Sequence, residues 1–152
     1  MLPARLTCET SAVTDDTRTK NQIWKDEGFR KFPYKDTVGK LTIGVGRNLD
    51  DVGLSEDEVK YLFNNDFDKA RDLAALLPAW YSLNGPRKAV LVNMVFQLGL
   101  GGVSKFKKMI DALSRKDYEE AANQMLDSKW HRQTPNRAER LAIQMRTGKW
   151  VD

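Results

Sequence analysis

The chain has 152 residues, which is enough for one folded domain with a hydrophobic core of its own. Its net charge of +4 favours polyanionic partners, and both nucleic acid and a carboxylate-bearing cell wall fit that description. A single cysteine, Cys8, and a single histidine, His131, exclude an internal disulfide and a tetrahedral zinc site built from Cys and His, so we expect no metal.

The first 14 residues are polar and show no clear periodicity. We therefore expect residues 1–14 to form a mobile arm and residues 15–152 to form the folded domain. Cys8 lies in this arm, and we interpret it as an incidental thiol. Residues 1–22 lack the apolar region of a signal peptide, and no stretch approaches the ~20 apolar residues of a membrane span. These features predict synthesis in the cytoplasm and no stable membrane insertion.

The first predicted helix starts at Asp15 or Thr17 and ends at Gly28, a plausible stop. Asp26 and Glu27 stand at its C-terminal end, where the helix dipole is negative and acidic side chains are disfavoured. Local rules tend to be broken at functional sites, and a general acid needs a carboxyl that stays protonated. The alternative interpretation is that both carboxylates are solvated surface charges.

Sequence patterns typical of β-strands follow this helix directly. Residues 32–35 and 41–46 alternate apolar residues with other types, and residues 36–39 between them are typical of a turn. The sequence therefore predicts a small antiparallel hairpin, with a third short strand at residues 49–53.

Two polar residues of this hairpin are candidate catalytic residues. Asp36 opens the turn, and together with Glu27 it could form the pair of carboxyls that glycosidases place around the scissile bond. The alternative is an ordinary turn aspartate bonded to its own backbone. Thr42 falls on the polar strand face beside Gly44 and Gly46, where its hydroxyl could hold a water. The alternative is an exposed strand threonine.

After Leu54 the sequence predicts helices only. The first is opened by the capping box of Ser55 and Glu58, and the second is apolar nearly all round, which is typical of a buried central helix. The predicted helices span residues 55–77, 87–98, 105–113, 117–127 and 134–148, the last opened by Thr134 and Pro135 and closed by Gly148. The fold class is therefore α+β, with a small antiparallel sheet lobe and a larger helical lobe around a buried central helix.

Four separated motifs in the sequence resemble one known family. In chain order they are Asp26-Glu27-Gly28 with Tyr34-Lys35-Asp36-Thr37 and Thr42-Ile43-Gly44-Val45-Gly46, then Asn93-Met94-Val95-Phe96-Gln97, then Trp130 with Gln133-Thr134-Pro135-Asn136-Arg137-Ala138, and last Arg146-Thr147-Gly148. They resemble the catalytic region, the central helix and the C-terminal signature of the T-even phage lysozymes, glycoside hydrolase family 24. The resemblance covers nearly the whole chain and implies a lysozyme-like fold.

The resemblance implies a phage endolysin, a muramidase that hydrolyses the β-1,4 bond between N-acetylmuramic acid and N-acetylglucosamine with inversion and causes lysis of the host cell. It gives Glu27 the role of proton donor, Asp36 that of base or water-orienting carboxylate, and Thr42 that of supporting hydroxyl. No cofactor is implied. The resemblance also places four residues near the saccharide: Asn48, Phe96, Gln97 and Gln124. Core packing is the alternative for Phe96, and an ordinary surface position is the alternative for Gln124.

Two arginines add expectations about support of the site. Arg137 lies in the first turns of the last helix, where a cation opposes the helix dipole and calls for an anionic partner. The resemblance places it near Asp26 and Glu27, with a solvated arginine as the alternative. Arg47 stands where well-known family members carry histidine, and we expect it to form a permanent ion pair with an acid such as Asp66.

The expected partner is bacterial peptidoglycan, met in the periplasm by a monomer after holin-dependent release. A lytic transglycosylase, or a non-catalytic wall-binding or virion module of the same fold, is the alternative within the family, since a fold does not fix function. A nucleic-acid-binding helical domain is the alternative from another class. We do not expect nucleic acid as a partner, because the basic residues are dispersed among acids and no recognised motif is present.

Overall fold

The computed structural model describes residues 14–152, and the chain divides into two compact units, Met1–Glu58 and Val59–Asp152. Residues 1–13, with Cys8, lie outside the described residues. The mobile arm and the incidental thiol therefore stay predictions.

The first unit begins with helix α1, Asp15–Glu27, whose bounds follow from local capping. The Thr14 hydroxyl accepts a hydrogen bond from the Thr17 backbone N–H at 3.1 Å, which satisfies one of the free donors of the first turn. At the other end Gly28 takes a φ of 65°, and its N–H donates to the Trp24 carbonyl oxygen at 2.8 Å. The predicted helix and its glycine stop are confirmed.

A three-stranded antiparallel sheet follows, with strands in the order β1, β2, β3: Arg30–Lys35, Leu41–Gly44 and Arg47–Asn48. The predicted hairpin is confirmed, but the third strand expected at residues 49–53 is wrong. Gly44 and Gly46 take φ values of 67° and 69°, which residues with a side chain rarely adopt. The chain therefore turns directly after β2, and the partner strand already begins at Arg47.

Six helices and one 3₁₀ turn complete the described residues: α2 Glu56–Ala74, the 3₁₀ turn Trp80–Ser82, α3 Gly85–Ser104, α4 Lys107–Ser114, α5 Tyr118–Leu126, α6 Lys129–Gln133 and α7 Pro135–Thr147. Helix α2 ends before the expected residue 77, because the N–H groups of Leu76 and Leu77 donate three residues back and tighten the chain. Helix α6 was not predicted; its N-terminus is capped by Ser128. Helix α7 begins and ends as predicted, with Gly148 in the left-handed conformation.

Helix α3 is the buried centre of the second unit. Val90, Leu91 and Met94 have no exposed surface, so the predicted buried central helix and the α+β fold class are confirmed. The helix is longer than predicted, because the chain passes a kink at Gly99, where φ is 75°, and remains helical to Ser104. Phe96 is 43% exposed, so core packing is the wrong interpretation for it; two residues beyond Met94, it lies on another face of the helix.

The described residues contain no single helix that is long and apolar enough to cross a membrane. By length and composition alone, α3 and α4 pass that test together as one pair, bent by 97°.

Candidate active site

Glu27, the predicted acid, is the last residue of α1, and both it and Asp26 are exposed. The turn between β2 and β3 lies beside this carboxyl. A Cβ atom added to Gly46 would stand 3.6 Å from Glu27 Oε2 and 3.8 Å from its carboxyl carbon. The first unit therefore places the predicted acid next to the glycine segment that follows β2.

Asp36 holds the turn between β1 and β2. Its Oδ1 accepts hydrogen bonds from the backbone N–H groups of Val38 at 2.9 Å and Lys40 at 2.8 Å. This is the arrangement expected of a turn aspartate. The hydrogen bonds described for residues 14–152 engage only Oδ1, so the second oxygen stays available for another donor.

Thr42 lies in the central strand, and its register partners are Tyr34 on β1 and Asn48 on β3. It is 3% exposed, so the expectation of an open polar face is wrong, as is the alternative of an exposed threonine. The period-two pattern places Thr42 toward solvent, but the structure buries it. The Thr42 hydroxyl donates to the Lys40 carbonyl oxygen at 2.9 Å.

Lys40 joins the two candidate groups, although no sequence pattern identified it as a site residue. Its backbone N–H donates to Asp36, while its carbonyl oxygen accepts from the Thr42 hydroxyl and from the Asp36 N–H, the latter at 2.9 Å. The backbone N–H and the carbonyl oxygen of Lys40 are thus both hydrogen-bonded to candidate site residues. The signal available in the sequence was its position at the close of the turn, opposite Asp36.

Asn48 is joined to the same group of residues through Asp51. The Asn48 amide donates to Asp51 Oδ2 at 3.0 Å, and its oxygen accepts from the Asp51 N–H at 2.9 Å. Asp51 in turn pairs with the Lys40 ammonium at 3.1 Å. Asp36, Thr42 and Asn48, all predicted site residues, are therefore linked through Lys40 and Asp51.

Arg47 forms the predicted permanent ion pair, but its partner is Glu58, at 2.7 Å, and the choice of Asp66 is wrong. The same Glu58 oxygen accepts from the Ser55 N–H at 2.9 Å, so one carboxylate closes the capping box and binds the arginine. The hydrogen bond from Arg47, followed by those from Ser55, lowers the pKa of Glu58 to about 2. Arg47 also donates to the Gly53 carbonyl oxygen at 3.2 Å, which braces the segment after β3.

Four predicted site residues belong to the second unit, and three of them, Gln124, Phe96 and Arg137, line two grooves. Gln124 lines a groove of about 500 Å³ that also contains Trp130, and its amide donates to Glu120 at 2.7 Å. Phe96 and Arg137 line a second groove of about 600 Å³ with four further aromatic rings, those of Phe63, Phe67, Trp80 and Trp150.

Gln97 is fixed by Trp130, whose indole N–H donates to the Gln97 side-chain oxygen at 2.8 Å. Indole nitrogen is a donor only, so the glutamine oxygen has to face it. The Gln97 NH₂ group therefore points away from Trp130 as a donor of two protons.

Arg137 binds Asn93 on α3, through its Nε to Asn93 Oδ1 at 2.8 Å and through a terminal nitrogen to the Asn93 carbonyl oxygen at 3.4 Å. The alternative of a merely solvated arginine is therefore wrong. The predicted support of Asp26 and Glu27 stays a prediction. Within residues 14–152 no group of three or more His, Cys, Asp or Glu side chains could hold a metal ion.

This chain is similar to known proteins along most of its length. Residues 25–146 match the sequence model of the family described as phage lysozyme. The chain is 32% identical to the Dictyostelium discoideum protein named probable T4-type lysozyme 2, over 85% of this chain and 94% of that one. It is 33% identical to the pre-baseplate central spike protein Gp5 of Enterobacteria phage T4 over 89% of this chain, which spans 29% of the spike protein. It is also 26% identical to the peptidoglycan hydrolase gp36 of Pseudomonas phage phiKMV, over 83% of this chain and 15% of that protein.

Proposed function

This chain belongs to the phage lysozyme family, and on that basis we propose that it is a muramidase acting on bacterial peptidoglycan. The bond cleaved is the β-1,4 bond between N-acetylmuramic acid and N-acetylglucosamine, with inversion at the anomeric carbon. One observation carries the proposal: Asp36 and Thr42 are hydrogen-bonded to the two backbone groups of the same residue, Lys40. That backbone fixes a carboxylate and a hydroxyl relative to each other.

The positions of the protons favour one orientation of an attacking water. The Thr42 hydroxyl gives its only proton to the Lys40 carbonyl oxygen, so toward a water it acts as an acceptor. The free Oδ2 of ionised Asp36 is also an acceptor. A water that donates one proton to each keeps a lone pair for the anomeric carbon. The pair therefore orients the nucleophile as well as activating it.

Glu27 supplies the proton in the same step. It protonates the glycosidic oxygen, the bond from that oxygen to the anomeric carbon breaks, and the water oxygen bonds to the carbon from the opposite face. The proton released by the water passes to Asp36. Exchange with solvent then returns both carboxyls to their starting states.

Substrate contacts are assigned to Asn48, Phe96, Gln97 and Gln124. Gln97 is the best defined of these, because its oxygen is bound to Trp130, which leaves its NH₂ group as the donor for a sugar or amide oxygen. Phe96 offers an exposed ring, which suits the apolar face of a sugar. Arg137 and Asp26 are assigned to the support of Glu27.

Residues 15–152 are the catalytic part of the chain in this proposal, and the chain acts as a monomer without a cofactor. The biological role is that of an endolysin made in the host cytoplasm and released to the periplasm with a holin. The similarity to the phage T4 spike protein supports a second role for the same activity, as part of a virion. Mass spectrometry of purified particles separates the two roles, because only a virion component is found in them.

The reaction is tested by digesting purified Gram-negative peptidoglycan and identifying the products by mass spectrometry. We expect muropeptides that end in reducing N-acetylmuramic acid. Anhydro ends would show a lytic transglycosylase, and the absence of products together with wall binding would show a non-catalytic module.

The acid is tested by Glu27→Gln, which should lower the rate by about 10²-fold or more. Asp16→Asn is the matched control, because it removes the same charge from the exposed first turn of the same helix. Equal rates for the two variants would contradict the assignment of Glu27.

A further inference from the structure

The groove of about 500 Å³ that Gln124 lines is built from residues of the second unit, and it combines buried apolar side chains with lysines. Met109 and Trp130 line it and are 0% and 3% exposed. Asp127 is the only carboxylate among the described residues that line it. Four lysines line the same groove: Lys105, Lys107, Lys108 and Lys129. The groove therefore carries a net positive charge.

The charges of these lysines are not neutralised by neighbouring acids. Within residues 14–152, none of the four ammonium groups forms an ion pair. Asp111 and Glu120 line an adjoining groove together with Lys107 and Lys108, but both acids have other partners. Asp111 pairs with Arg115 at 3.1 Å, and Glu120 accepts from the Gln124 amide at 2.7 Å. The lysines are therefore available to an anionic ligand.

Two of the lysines also stand where they weaken their own helix. Lys107 and Lys108 are exposed and lie in the first turn of α4, whose N-cap residue, Phe106, makes no side-chain hydrogen bond. The helix dipole is positive at this end, so cations there cost stability. The stability of α4 therefore does not explain the two lysines, whereas binding of an anion does.

The groove shares residues with the proposed saccharide contacts. Gln124 lines it, and Trp130, which also lines it, donates to Gln97. In peptidoglycan the muramic acid carries a peptide stem with free carboxylates and short apolar side chains. We propose that Lys107 and Lys108 determine specificity: they bind the carboxylates of this stem, so that the enzyme prefers stems with free carboxyls to stems with amidated ones. The inference rests on the proposed function and names the part of the substrate that this groove recognises.

The experiment measures KM and kcat for muropeptide release from soluble peptidoglycan strands, before and after the stem carboxyls are amidated with a carbodiimide and ammonium chloride. Amidation should raise the KM of the wild type by about 3–10-fold and leave kcat within about twofold, because exposed ion pairs are individually weak and these act on binding. In the double variant Lys107→Gln, Lys108→Gln, the KM for untreated strands should rise by a similar factor, and amidation should have little further effect.

The matched control is the double variant Lys116→Gln, Lys149→Gln. It lowers the net charge of the protein equally, but neither lysine lines this groove. Whatever its own KM for untreated strands, the control should respond to amidation as the wild type does. Any general attraction between a cationic protein and an anionic wall is thereby separated from recognition in the groove.

The proposal would be overturned if amidation raised KM equally in all three proteins or in none, or if the control lost its response as the groove variant does. If the circular dichroism of the groove variant shows that it does not fold, Lys105→Gln, Lys129→Gln replaces it, with the same expected result. Glu27→Gln, assayed in parallel, separates the two claims. If the wild type releases muropeptides, Glu27→Gln does not, and amidation has no effect, only this inference fails. If the wild type releases none, or Glu27→Gln is as active as the wild type, the proposed function fails as well.

Discussion

Asp36 has a structural role in its turn and a proposed catalytic role, and two substitutions at this position can separate them. Its Oδ1 holds the turn through the N–H groups of Val38 and Lys40, whereas the proposed reaction uses the charge and the free Oδ2. Asp36→Asn keeps a carbonyl oxygen for the two turn hydrogen bonds and removes the charge. Asp36→Ala removes both. The pair of variants therefore tests whether this residue is a base or only a turn aspartate.

The expected magnitudes follow from these contacts. A hydrogen bond contributes about 0.5–1.5 kcal/mol net, so loss of two should lower the free energy of unfolding of Asp36→Ala by about 1–3 kcal/mol. Asp36→Asn should stay within about 1 kcal/mol of wild type, since it makes neutral versions of the same two bonds. Both variants should lose about 10²–10⁴-fold in rate, because both lack the base.

Urea denaturation followed by circular dichroism gives the stabilities, and initial rates of muropeptide release from purified peptidoglycan give the activities. Asp16→Asn serves again as the control for loss of one negative charge in the same unit. A rate for Asp36→Asn within a few fold of wild type would refute the assignment and leave Asp36 as a turn residue. If Asp36→Ala were as stable as wild type, the two hydrogen bonds to Oδ1 would not stabilise the turn as expected.

Two further predictions concern stability. Met94→Ala should lower the free energy of unfolding by about 2–5 kcal/mol, the range known for core truncations in a related phage lysozyme. Phe96→Ala, at a position that is 43% exposed, should lower it by less than half as much and should raise KM instead. Denaturant melts and kinetics measure the two effects, and a larger loss of stability in Phe96→Ala than in Met94→Ala would contradict the observed burial. Because Arg47 and Ser55 lower the pKa of Glu58 to about 2, its stabilisation is complete above pH 4.5 and lost as the pH falls toward about 2. In thermal melts, the difference in Tm between wild type and Arg47→Gln should therefore become smaller as the pH falls over that interval. A difference in Tm that does not change with pH would count against the ion pair.

Several helix boundaries were predictable because a local side chain or glycine determines them. Ser55 and Glu58 close the capping box that the sequence predicts, and Gly28 and Gly148 stop their helices as expected. These signals act over three or four residues, so they can be read without the fold.

The errors arose where tertiary structure or an unusual backbone conformation decides. Alternation extends β2 to residue 46, but the positive φ at Gly44 ends the strand early and moves β3 to Arg47. Alternation also places Thr42 on an open face, whereas it is 3% exposed in the structure, and the alternation of residue types does not reveal this burial. The sequence predicts that α3 ends at residue 98, yet the chain only kinks at Gly99 and remains helical to Ser104.

Within the candidate site, sequence patterns identified the groups with a recognisable chemistry and missed those that hold them. Asp36 and Thr42 were predicted from such patterns and Asn48 from the resemblance, and hydrogen bonds and an ion pair link the three in the structure. Lys40 and Asp51 make that link through backbone atoms and an ion pair, which no spacing rule reveals. Arg47 was expected to pair with an acid, and Glu58 was expected to cap a helix, but only the fold shows that the two are partners.

The central claim is that Asp36 and Thr42 direct a water against the face of the sugar opposite to the bond that Glu27 protonates. The configuration of the new reducing end tests this most directly, and nuclear magnetic resonance of a fresh hydrolysate reads it before the anomers equilibrate. An oriented water attacking in one displacement gives the α anomer of N-acetylmuramic acid first, and this is the result we expect. If the β anomer appeared first, two displacements must have occurred, Asp36 would be a nucleophile in place of a base, and the account of an oriented water would be wrong.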